Sequence, residues 1–449
     1  MVRYLDEFIT PEPSSSEEAL TAMIEKKDPN RNTHAAHVPC QRTFELMAKP
    51  AGPRCNLHCG YCFYLEKKPF FPESNFRMSD EVLEAYISKY IASQPGPSVV
   101  FAWQGGEPTL MGIDFFRRAL GFQKKYCMGK KISNTLQTNG TLLDESWCDF
   151  LSKNNFLVGL SMDGPETVHD IYRLDRAGGS THATVLRSLR MMQKYGVEVN
   201  ILATVNCKSA QRPLDVYHFF KDQGVQFIQF IPIVEREADS ETKGFRISLA
   251  GPPSLTQGEK TTTVTPWSVS PQMYGEFLIR IFQEWVRNDV GNIFVMNFEW
   301  TLGAWAGVPA GVCYLSPRCG SNLIIEHNGD IFSCDHFVYP AYRLGNILNC
   351  DLGEMVLSKT QIAFGTSKEN GLPGYCRECD VLFVCRGGCP KHRFAKSPDG
   401  NPGLNYLCTG FKSFYHHVDP YMKHMVKLIR NGIPLNNIIE TADKLTVSE

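Results

Sequence analysis

The stretch CNLHCGYC, residues 55–62, places Cys55, Cys59 and Cys62 at the spacing CxxxCxxC. Three thiolates at this spacing can bind three irons of one [4Fe–4S] cluster, and the fourth iron is then open to another ligand. A structural zinc site usually closes with four ligands, and no fourth cysteine follows nearby. His58 is a poor fourth zinc ligand because it lies directly beside Cys59 in the chain. The stretch therefore favours an iron–sulfur cluster that binds a cofactor.

The composition limits the classes of protein to which the chain can belong. Its 449 residues suggest two or three domains, although α/β barrels can be long single domains. A formal net charge of −1 gives no general attraction to nucleic acid or to a membrane surface, so neither is expected as a partner. No apolar stretch reaches the roughly 18 residues of a membrane span, and the polar N-terminus lacks the apolar run of a secretory signal. We expect a cytoplasmic protein.

The 16 cysteines are the unusual feature of the composition. Three lie in residues 55–62, and nine lie between Cys313 and Cys408. A disulfide framework is typical of small secreted domains, and this chain is long and has no export signal. The cysteines therefore predict metal ligation in a reducing compartment.

Strand and helix signals alternate through the first half of the chain. An alternating order of strands and helices predicts βαβ units and a parallel sheet that curls into an open or closed barrel. Strands are expected near residues 44–47, 98–103, 135–137, 156–161, 197–205 and 226–232, and helices near 79–93, 114–126, 144–153, 181–195 and 213–223.

The composition also suggests boundaries along the chain. Residues 235–270 are rich in Gly, Pro, Thr and Ser and predict a long loop or insertion, followed by a helix near 271–287. A closing helix is expected over residues 414–431, with Asn431-Gly432 as its C-cap. The predicted division is an N-terminal extension (1–40), a barrel (41–234), an insertion with a connecting helix (235–312), a cysteine-rich domain (313–417) and a C-terminal helix and tail (418–449).

Polar residues follow several of the predicted strands. Gln104-Gly105-Gly106-Glu107 comes directly after the second strand, and two glycines allow a ligand to approach the backbone closely. Residues 137–140 end the third strand, and residues 161–165 end the fourth, with Arg173 downstream. Each group alone is a common turn sequence. Together, at the carboxyl ends of barrel strands, they favour a shared ligand pocket.

Eight cysteines in the C-terminal half suffice for two four-thiolate clusters. Cys389 precedes a proline, which is typical of ferredoxin-type ligation, and two zinc sites remain the alternative. Spacing alone does not show which cysteines share a cluster. The eight are Cys313, Cys319, Cys334, Cys376, Cys379, Cys385, Cys389 and Cys408.

These motifs resemble those of the radical S-adenosylmethionine enzymes that carry a C-terminal SPASM domain, and most of all the anaerobic sulfatase-maturating enzymes. The resemblance covers residues 44–415. It implies an α/β fold in which a radical SAM partial (β/α)6 barrel precedes a cysteine-rich SPASM domain with two auxiliary Fe–S clusters. The implied cofactors are three [4Fe–4S] clusters and S-adenosyl-L-methionine.

The resemblance also implies roles for individual residues. Cys55, Cys59 and Cys62 would hold the cluster that binds S-adenosylmethionine. Asp335, directly after Cys334, matches the position of a catalytic base, whereas without the resemblance it reads as a turn cap. The positions expected to contact the cofactor are Tyr61, Gln104, Gly105, Gly106, Glu107, Ser161, Arg173 and Val234. One auxiliary cluster would take Cys313, Cys319, Cys334 and Cys389, and the other Cys376, Cys379, Cys385 and Cys408.

The activity that the resemblance implies is the oxidation of a Cys or Ser side chain to Cα-formylglycine. A 5′-deoxyadenosyl radical would abstract a hydrogen atom from the β-carbon, Asp335 would remove the thiol or hydroxyl proton, and the auxiliary clusters would take the second electron. The implied partners are an unfolded sulfatase segment with the pattern Cys/Ser-x-Pro/Ala-x-Arg and a reduced flavodoxin or ferredoxin-type electron donor.

Two other functions fit parts of the sequence. A radical SAM/SPASM maturase of ribosomally synthesised peptides, which forms crosslinks or thioethers, would share both sets of cysteines. Such enzymes often carry a peptide-binding domain before the barrel, and the first forty residues look too short and polar for one. An iron–sulfur electron carrier or a zinc-bound scaffold would not need a cluster that lacks one protein ligand.

Overall fold

The computed structural model of the protein describes residues 42–72, 74–238, 240–244, 247–253 and 263–445. The predicted N-terminal extension, residues 1–40, lies outside these ranges, as do residues 254–262 of the predicted insertion.

One ten-stranded sheet organises the described residues. Strands β1 to β7 pair in chain order and all run parallel. On the other side of β1, β8 adds parallel, and β9 and β10 follow antiparallel. The strands are β1 (Glu45–Lys49), β2 (Ser98–Trp103), β3 (Lys131–Thr138), β4 (Phe156–Ser161), β5 (Glu198–Val205), β6 (Phe227–Pro232), β7 (Phe294–Val295), β8 (Asn322–Glu326), β9 (Asp330–Phe332) and β10 (Arg343–Asn346), with a separate hairpin of β11 (Ala395–Lys396) and β12 (Pro402–Leu404).

Helices connect the parallel strands, and several begin where the sequence predicts a cap. Ser79 accepts a hydrogen bond from the Val82 amide, and Asp144 accepts one from the Trp147 amide, so both helix starts are capped by side chains. The helices are α1 (Asp80–Ser93), α2 (Ile113–Tyr126), α3 (Glu145–Lys153), α4 (Glu166–His169), α5 (His182–Lys194), α6 (Pro213–Asp222), α7 (Ser240–Gly244), α8 (Pro271–Asn288), α9 (Met296–Trp305), α10 (Leu352–Val356), α11 (Lys359–Asn370), α12 (Gly374–Arg377), α13 (Leu382–Cys385) and α14 (Cys408–Arg430).

The six predicted strands and the parallel sheet are confirmed by β1 to β6. The strands that the sequence did not predict lie at the two ends of this set. β7 is only two residues long, too short to show a strand pattern, and β8 follows a loop rather than a helix, so β8 lacks the alternating context of a βαβ unit. β8 pairs with β1 along its full length, from Glu45 opposite Asn322 to Lys49 opposite Glu326. The cysteine-rich part therefore shares main-chain hydrogen bonds with the barrel, and the described residues belong to one compact unit.

The closing helix α14 begins earlier than the sequence predicts. It starts at Cys408 rather than Phe414, and it runs through the predicted boundary at residues 417/418. Its predicted end is confirmed, because Asn431 is the C-cap and Gly432 has a φ of +67°. Helices α8 and α14 meet at two glycines: a Cβ on Gly410 would lie 1.9 Å from the Pro271 carbonyl oxygen. The first turns of α14 are therefore in close backbone contact with α8, and a hydrophobic pattern gives no sign of such a contact.

The core that supports the sheet is rich in aromatic side chains. Trp103 at the end of β2 packs against Phe115 and Phe116 of α2, with ring centroids 5.9 and 5.7 Å apart. All three residues are at most 1% exposed. Such packing fixes the ends of the strands and hence the residues that follow them. Within the described ranges, no helix has the length and apolar character needed to cross a membrane.

Candidate active site

The carboxyl ends of the parallel strands bring the predicted cofactor residues to one edge of the sheet. β1 ends at Lys49, β2 leads into residues 104–107, β4 ends at Ser161, and β6 leads to Val234. Because parallel strands end on the same side, these residues surround one region, which is where barrel enzymes place their active sites.

The cysteine loop is held against the segment that follows β4. The His58 amide donates to the Leu174 carbonyl oxygen at 2.9 Å, and the Gly60 amide donates to the Tyr172 carbonyl oxygen at 3.0 Å. The Arg176 guanidinium donates twice to the Cys55 carbonyl oxygen, at 2.9 and 2.6 Å. Sequence reasoning missed Arg176, because nothing in its local pattern shows that it reaches across 121 positions. These bonds fix the backbone from which the three thiols project.

The thiols of Cys55, Cys59 and Cys62 lie close enough to perturb one another. Burial raises the pKa of the Cys59 thiol, the Arg173 guanidinium opposes this shift, and Cys62 and Cys55 add to it, so that the pKa is about 12. The Cys55 sulfur accepts hydrogen bonds from the Leu57 amide at 3.3 Å and from the Asn139 side-chain amide at 3.7 Å. The first predicted ligand set is therefore brought together.

The other eight predicted ligands fall into two separate groups. Burial raises the pKa of Cys334, and the charges of Cys313 and Cys389 act in the same direction. Burial likewise raises the pKa of Cys319, and the charge of Cys389 adds to the shift. In the second group, burial raises the pKa of Cys385, and the charges of Cys408, Cys376 and Cys379 act in the same direction. We name these the proximal group (Cys313, Cys319, Cys334 and Cys389) and the distal group (Cys376, Cys379, Cys385 and Cys408). The division is the one that the resemblance implies, and the assignment of clusters to the groups stays a prediction.

The donor sets fit iron–sulfur clusters in number and chemistry. In the part of the chain that the structure describes, no three His, Cys, Asp or Glu side chains are arranged to hold a single metal ion. A [4Fe–4S] cluster gives each thiolate an iron of its own, so its ligands need not converge on one point. Three thiols in one group and four in each of the others match one cluster with an open iron and two that are fully ligated.

Tyr61, Asp163 and Arg173 form a buried network beside the cysteine loop. The Tyr61 hydroxyl donates to Asp163 Oδ2 at 2.5 Å, and Arg173 Nε lies 3.0 Å from the same oxygen. Asp163 Oδ1 accepts from the Thr204 amide at 2.9 Å. Burial acts to raise the pKa of Asp163, but the charges of Arg173 and His169 and the hydrogen bonds together outweigh it, and the pKa lies below its usual value. The predicted set omitted Asp163, although its place just after β4 pointed to it.

The glycines after β2 pack against the cysteine loop. The Gly106 amide donates to the Gly52 carbonyl oxygen at 2.7 Å, and the Glu107 amide donates to the Arg54 carbonyl oxygen at 2.9 Å. A Cβ on Gly106 would lie 2.0 Å from that Arg54 oxygen. The sequence argument expected a ligand to approach these glycines, whereas it is the protein's own backbone that occupies the space beside Gly106.

The Glu107 carboxylate joins the end of β2 to the end of β3. It is fully buried, and Oε1 accepts from the amide and hydroxyl of Thr109 and from the Thr138 hydroxyl. Oε2 accepts from the Asn139 amide at 2.8 Å. Burial raises the pKa of Glu107, and these hydrogen bonds oppose that shift. Four donors within the protein thus already position the carboxylate that was expected to accept from a ligand amine.

The remaining predicted cofactor residues lie at their strand ends with partners of their own. Ser161 Oγ accepts from the Gln137 side-chain amide at 2.9 Å. Gln104 Oε1 accepts from Lys49 Nζ at 3.1 Å, and Gly105 has a φ of +141°. Val234 is 2% exposed and lines a cavity described below.

Asp335 forms an ion pair with Lys49, a residue that the predicted set lacked. Lys49 Nζ lies 2.5 Å from Asp335 Oδ1 and 4.4 Å from the ring centroid of Tyr64. Burial acts to raise the pKa of Asp335, but Lys49, with smaller contributions from His336 and Lys391, outweighs it, and the pKa lies below its usual value. In the sequence, Lys49 could have been noticed as a lysine at the end of an apolar strand, near the residues that were predicted to line the ligand pocket.

A small cavity lies between the end of β6 and the cysteine-rich part. The space open to the centre of a water molecule is about 20 Å³. Its walls include Phe63 and Lys67 after the cysteine loop, residues 234–236, residues 249–252 of the predicted insertion, and His336, Tyr339 and Lys391. Burial lowers the pKa of His336 to about 3, so this imidazole is neutral at ordinary pH. The cavity is the place in the described structure where the barrel, the insertion and the cysteine-rich part all present side chains.

Comparison with known protein families gives two matches. Residues 50–207 match the radical SAM superfamily, and residues 313–380 match the SPASM iron–sulfur cluster-binding domain. The first match includes Cys55, Cys59 and Cys62. The second includes five of the eight C-terminal cysteines in the predicted ligand sets, and the other three, Cys385, Cys389 and Cys408, follow it.

The chain is also similar to characterised relatives over most of its length. It is 45% identical to the serine-type anaerobic sulfatase-maturating enzyme of Bacteroides thetaiotaomicron, over 90% of this chain and 96% of the relative. It is 33% identical to the cysteine-type enzyme of Clostridium perfringens, over 86% of this chain and 99% of the relative. The predicted resemblance is confirmed by both.

Solved structures give the same result. A structure described as native anSMEcpe with bound AdoMet and Cp18Cys peptide matches with a TM-score of 0.75 and 33% identity, covering 86% of this chain and 100% of that chain. Streptococcus suis SuiB matches with a TM-score of 0.52 but only 16% identity, which shows a shared fold alone. The fold prediction is confirmed, and the peptide-crosslinking alternative is not favoured.

Proposed function

Because the chain belongs to the radical SAM family of anaerobic sulfatase-maturating enzymes, we propose that it oxidises a Cys or Ser side chain of a sulfatase polypeptide to Cα-formylglycine. Identity of 45% across 96% of a serine-type relative carries this proposal. The placement of Asp335 supports it, because the ion pair with Lys49 brings a carboxylate of the cysteine-rich part to the mouth of the barrel.

The protein's own residues supply binding, orientation and proton transfer. When bound, S-adenosylmethionine and its cluster supply a radical that removes a hydrogen atom from the β-carbon of the substrate residue. Asp335, kept ionised by Lys49, accepts the proton of the substrate thiol or hydroxyl. The proximal and distal thiol groups would hold the clusters that accept the remaining electron. A Ser target would then carry the aldehyde directly, whereas a Cys target would become an aldehyde after water replaces its sulfur, which leaves as sulfide. Tyr61 and Arg173 would orient the cofactor from their buried network with Asp163.

The substrate class follows from the relatives and from the cavity. One relative is named as serine-type and another as cysteine-type, which supports Ser or Cys as the target residue of this chain. The segment around the target would have the pattern Cys/Ser-x-Pro/Ala-x-Arg that the resemblance implies. Residues 249–252 of the insertion line the cavity, which supports a role in contacting that segment. Removal of the insertion should weaken peptide turnover and leave cofactor cleavage intact.

The electron donor and the location are also proposals. The donor would be a reduced flavodoxin or ferredoxin-type protein, which delivers one electron at a time. A cytoplasmic location is supported by the cysteines, since all those in the described ranges are free thiols rather than disulfides. Activity with each purified donor in place of a chemical reductant tests the first proposal, and cell fractionation tests the second.

The experiment that tests the function uses anaerobically reconstituted protein, reductant and S-adenosylmethionine with matched Cys-type and Ser-type sulfatase peptides. 5′-Deoxyadenosine and peptide mass are followed together. Formation of an aldehyde on either peptide supports the proposal, and the ratio of the two rates gives the preference. 5′-Deoxyadenosine without any change in either peptide would contradict it.

The Asp335→Asn variant tests the role of the base. The amide has nearly the same shape but cannot accept the proton, so aldehyde formation should fall by roughly 10²–10⁴-fold. Cofactor cleavage in the absence of peptide should continue. If both products fall together, the carboxylate supports the structure rather than the proton transfer.

A further inference from the structure

Two lysines line the cavity, and they differ in their partners. Lys391 forms an ion pair with Glu235 and lies 4.4 Å from the ring centroid of Phe63. Lys67 is 2% exposed, and its Nζ lies 3.5 Å from the ring centroid of Tyr339. Within the described residues, no carboxylate forms an ion pair with Lys67. Lys67 is thus a buried amine on a cavity wall that forms no ion pair with any carboxylate of the described ranges.

An ammonium in this position is unfavourable unless something compensates for the lost water. Burial lowers the pKa of Lys67 to about 7, and the nearby charge of Lys391 acts in the same direction. The rings of Tyr339 and Phe70 compensate in part, since a cation is attracted to an aromatic face. An unpaired buried charge in a cleft is a feature of ligand-binding sites, because the ligand supplies the missing partner.

The charges around the cavity indicate what that ligand carries. Its walls hold three cations, Lys67, Lys391 and Arg236, and two carboxylates, Glu66 and Glu235. Glu235 is engaged by Lys391, and Glu66 Oε2 accepts from the Ser248 amide at 2.7 Å. Among the described residues, both wall carboxylates are thus engaged by other groups, and this favours a ligand that brings an oxygen acceptor to Lys67.

We propose that Lys67 binds a carbonyl or carboxylate oxygen of the substrate polypeptide and so positions its target residue. The inference rests on the proposed function, because it assumes that the bound substrate polypeptide places one of its oxygens in this small cavity. A carboxylate of S-adenosylmethionine is the other source of such an oxygen. The polypeptide is favoured because Lys67 packs on Tyr339 of the cysteine-rich part and shares the cavity with residues 249–252, whereas Arg173 lies with Tyr61 in a separate network.

The chain offers a matched control in the same turn. Lys67 and Lys68 are adjacent in the short 3₁₀ segment Leu65–Phe70, but only Lys67 lines the cavity. Lys67→Met keeps the length of the side chain and removes its charge, and Lys68→Met makes the same change outside the cavity. Lys67→Arg keeps the charge. Aldehyde formation is measured against peptide concentration for each variant, and fluorescence anisotropy reports peptide binding directly.

We expect Lys67→Met to raise KM for the peptide, and to weaken peptide binding, by about tenfold or more, since a hydrogen bond to a charged group is lost. Cofactor cleavage without peptide should change by less than about twofold, as should both measurements for Lys68→Met. Lys67→Arg should recover most of the affinity. Peptides in which acidic residues are replaced by their amides distinguish a side-chain carboxylate from a main-chain carbonyl, because only the former loses affinity.

Three outcomes would overturn the proposal. Peptide affinity of Lys67→Met within twofold of the unmodified protein would show that the ammonium is not used. A rise in KM for S-adenosylmethionine in place of the peptide would assign Lys67 to the cofactor. Loss of bound iron in Lys67→Met would assign it to the structure. Failure of the proposed function is distinct: the unmodified protein would form no aldehyde, while the anisotropy measurement would still report whether Lys67 binds the peptide.

Discussion

Lys49 Nζ, at the end of the first strand, lies 2.5 Å from Oδ1 of Asp335, which directly follows Cys334 in the cysteine-rich part. The pair joins residues 286 positions apart, 335 minus 49, and the lysine is 2% exposed. It is supported on one side by the Tyr64 ring and on another by Gln104. The contact holds Asp335, the proposed base, at the end of the first barrel strand, although Asp335 belongs to the C-terminal half of the sequence.

Lys49→Met should separate cofactor cleavage from substrate oxidation. Without the ammonium, the Asp335 carboxylate loses the partner that orients it and keeps it ionised, so aldehyde formation should fall by roughly tenfold or more. 5′-Deoxyadenosine formed in the absence of peptide should stay near its original level. The two products are measured in the same assay. Equal loss of both, or full activity, would contradict a role in positioning Asp335.

Asp163→Asn should destabilise the protein far more than Tyr61→Phe. The first change leaves the buried Arg173 guanidinium without a counter-charge, which costs about 3–5 kcal/mol. The second removes one hydrogen bond, worth about 1 kcal/mol. Thermal unfolding of the anaerobic, cluster-loaded variants compares them. Similar midpoints for the two would show that the ion pair contributes little to stability.

Gly106→Ala should prevent proper assembly of the cysteine loop. Its Cβ would lie 2.0 Å from the Arg54 carbonyl oxygen, so the backbone just before Cys55 would have to move. Gly121→Ala is the matched control, because its Cβ meets no atom within 4 Å and an alanine in the middle of α2 should stabilise by up to about 1 kcal/mol. Iron content and cofactor cleavage measure the effect. Full iron and activity in Gly106→Ala would show that the loop can shift freely.

The affinity for the peptide should fall as the pH rises through about 7. The pKa of Lys67 lies near 7, so the ammonium is present below that pH and neutral above it. The charged groups that act on Lys67 are Lys391, which lowers its pKa, and Glu235, Asp335 and Glu66, which raise it.

Lys67→Arg is the control for this pH dependence, because a guanidinium stays protonated throughout. The dependence of kcat/KM on pH reports groups of the free enzyme, so it is measured for both proteins with the same peptide. The fall near pH 7 should be present with lysine and absent with arginine. The same profile for both would assign the pH dependence to another group.

Local patterns in the sequence were sufficient for the barrel and for the cysteines. The six strands alternate with helices, and each helix start carries a cap or an apolar stripe, so these elements are encoded within short windows. The same alternation predicts that Gln104, Ser161 and Val234 lie at the carboxyl ends of their strands. The register of β8 on β1 does not follow from it, because no local signal specifies which strand pairs with a five-residue strand that has three apolar residues at its centre.

The partners of the site residues could not be predicted for the same reason. Lys49, Asp163, Lys67 and Lys391 are ordinary residues in their local windows, and their roles come from contacts across more than a hundred positions or from burial in the cavity. Glu107 illustrates the converse. It was predicted as a ligand contact, but long-range packing surrounds it with hydrogen-bond donors of the protein itself.

Iron content in paired cysteine variants tests the division into proximal and distal groups. Each cluster holds about four irons, so the intact protein should bind about twelve. Cys313→Ala with Cys389→Ala removes two ligands of the proximal group and should cost about four irons. Cys313→Ala with Cys376→Ala removes one ligand from each group and should cost up to about eight.

The comparison depends on where the two changes lie and not on their number, since both double variants lose two thiols. Cys127→Ala is the control, because this thiol lies at the end of α2 and belongs to none of the three groups. Iron per chain and the visible absorption of the clusters are measured after identical anaerobic reconstitution. If the Cys313 and Cys389 pair lost twice as much iron as the Cys313 and Cys376 pair, the ligands would be shared in the opposite way, and the proximal and distal groups would have to be redrawn.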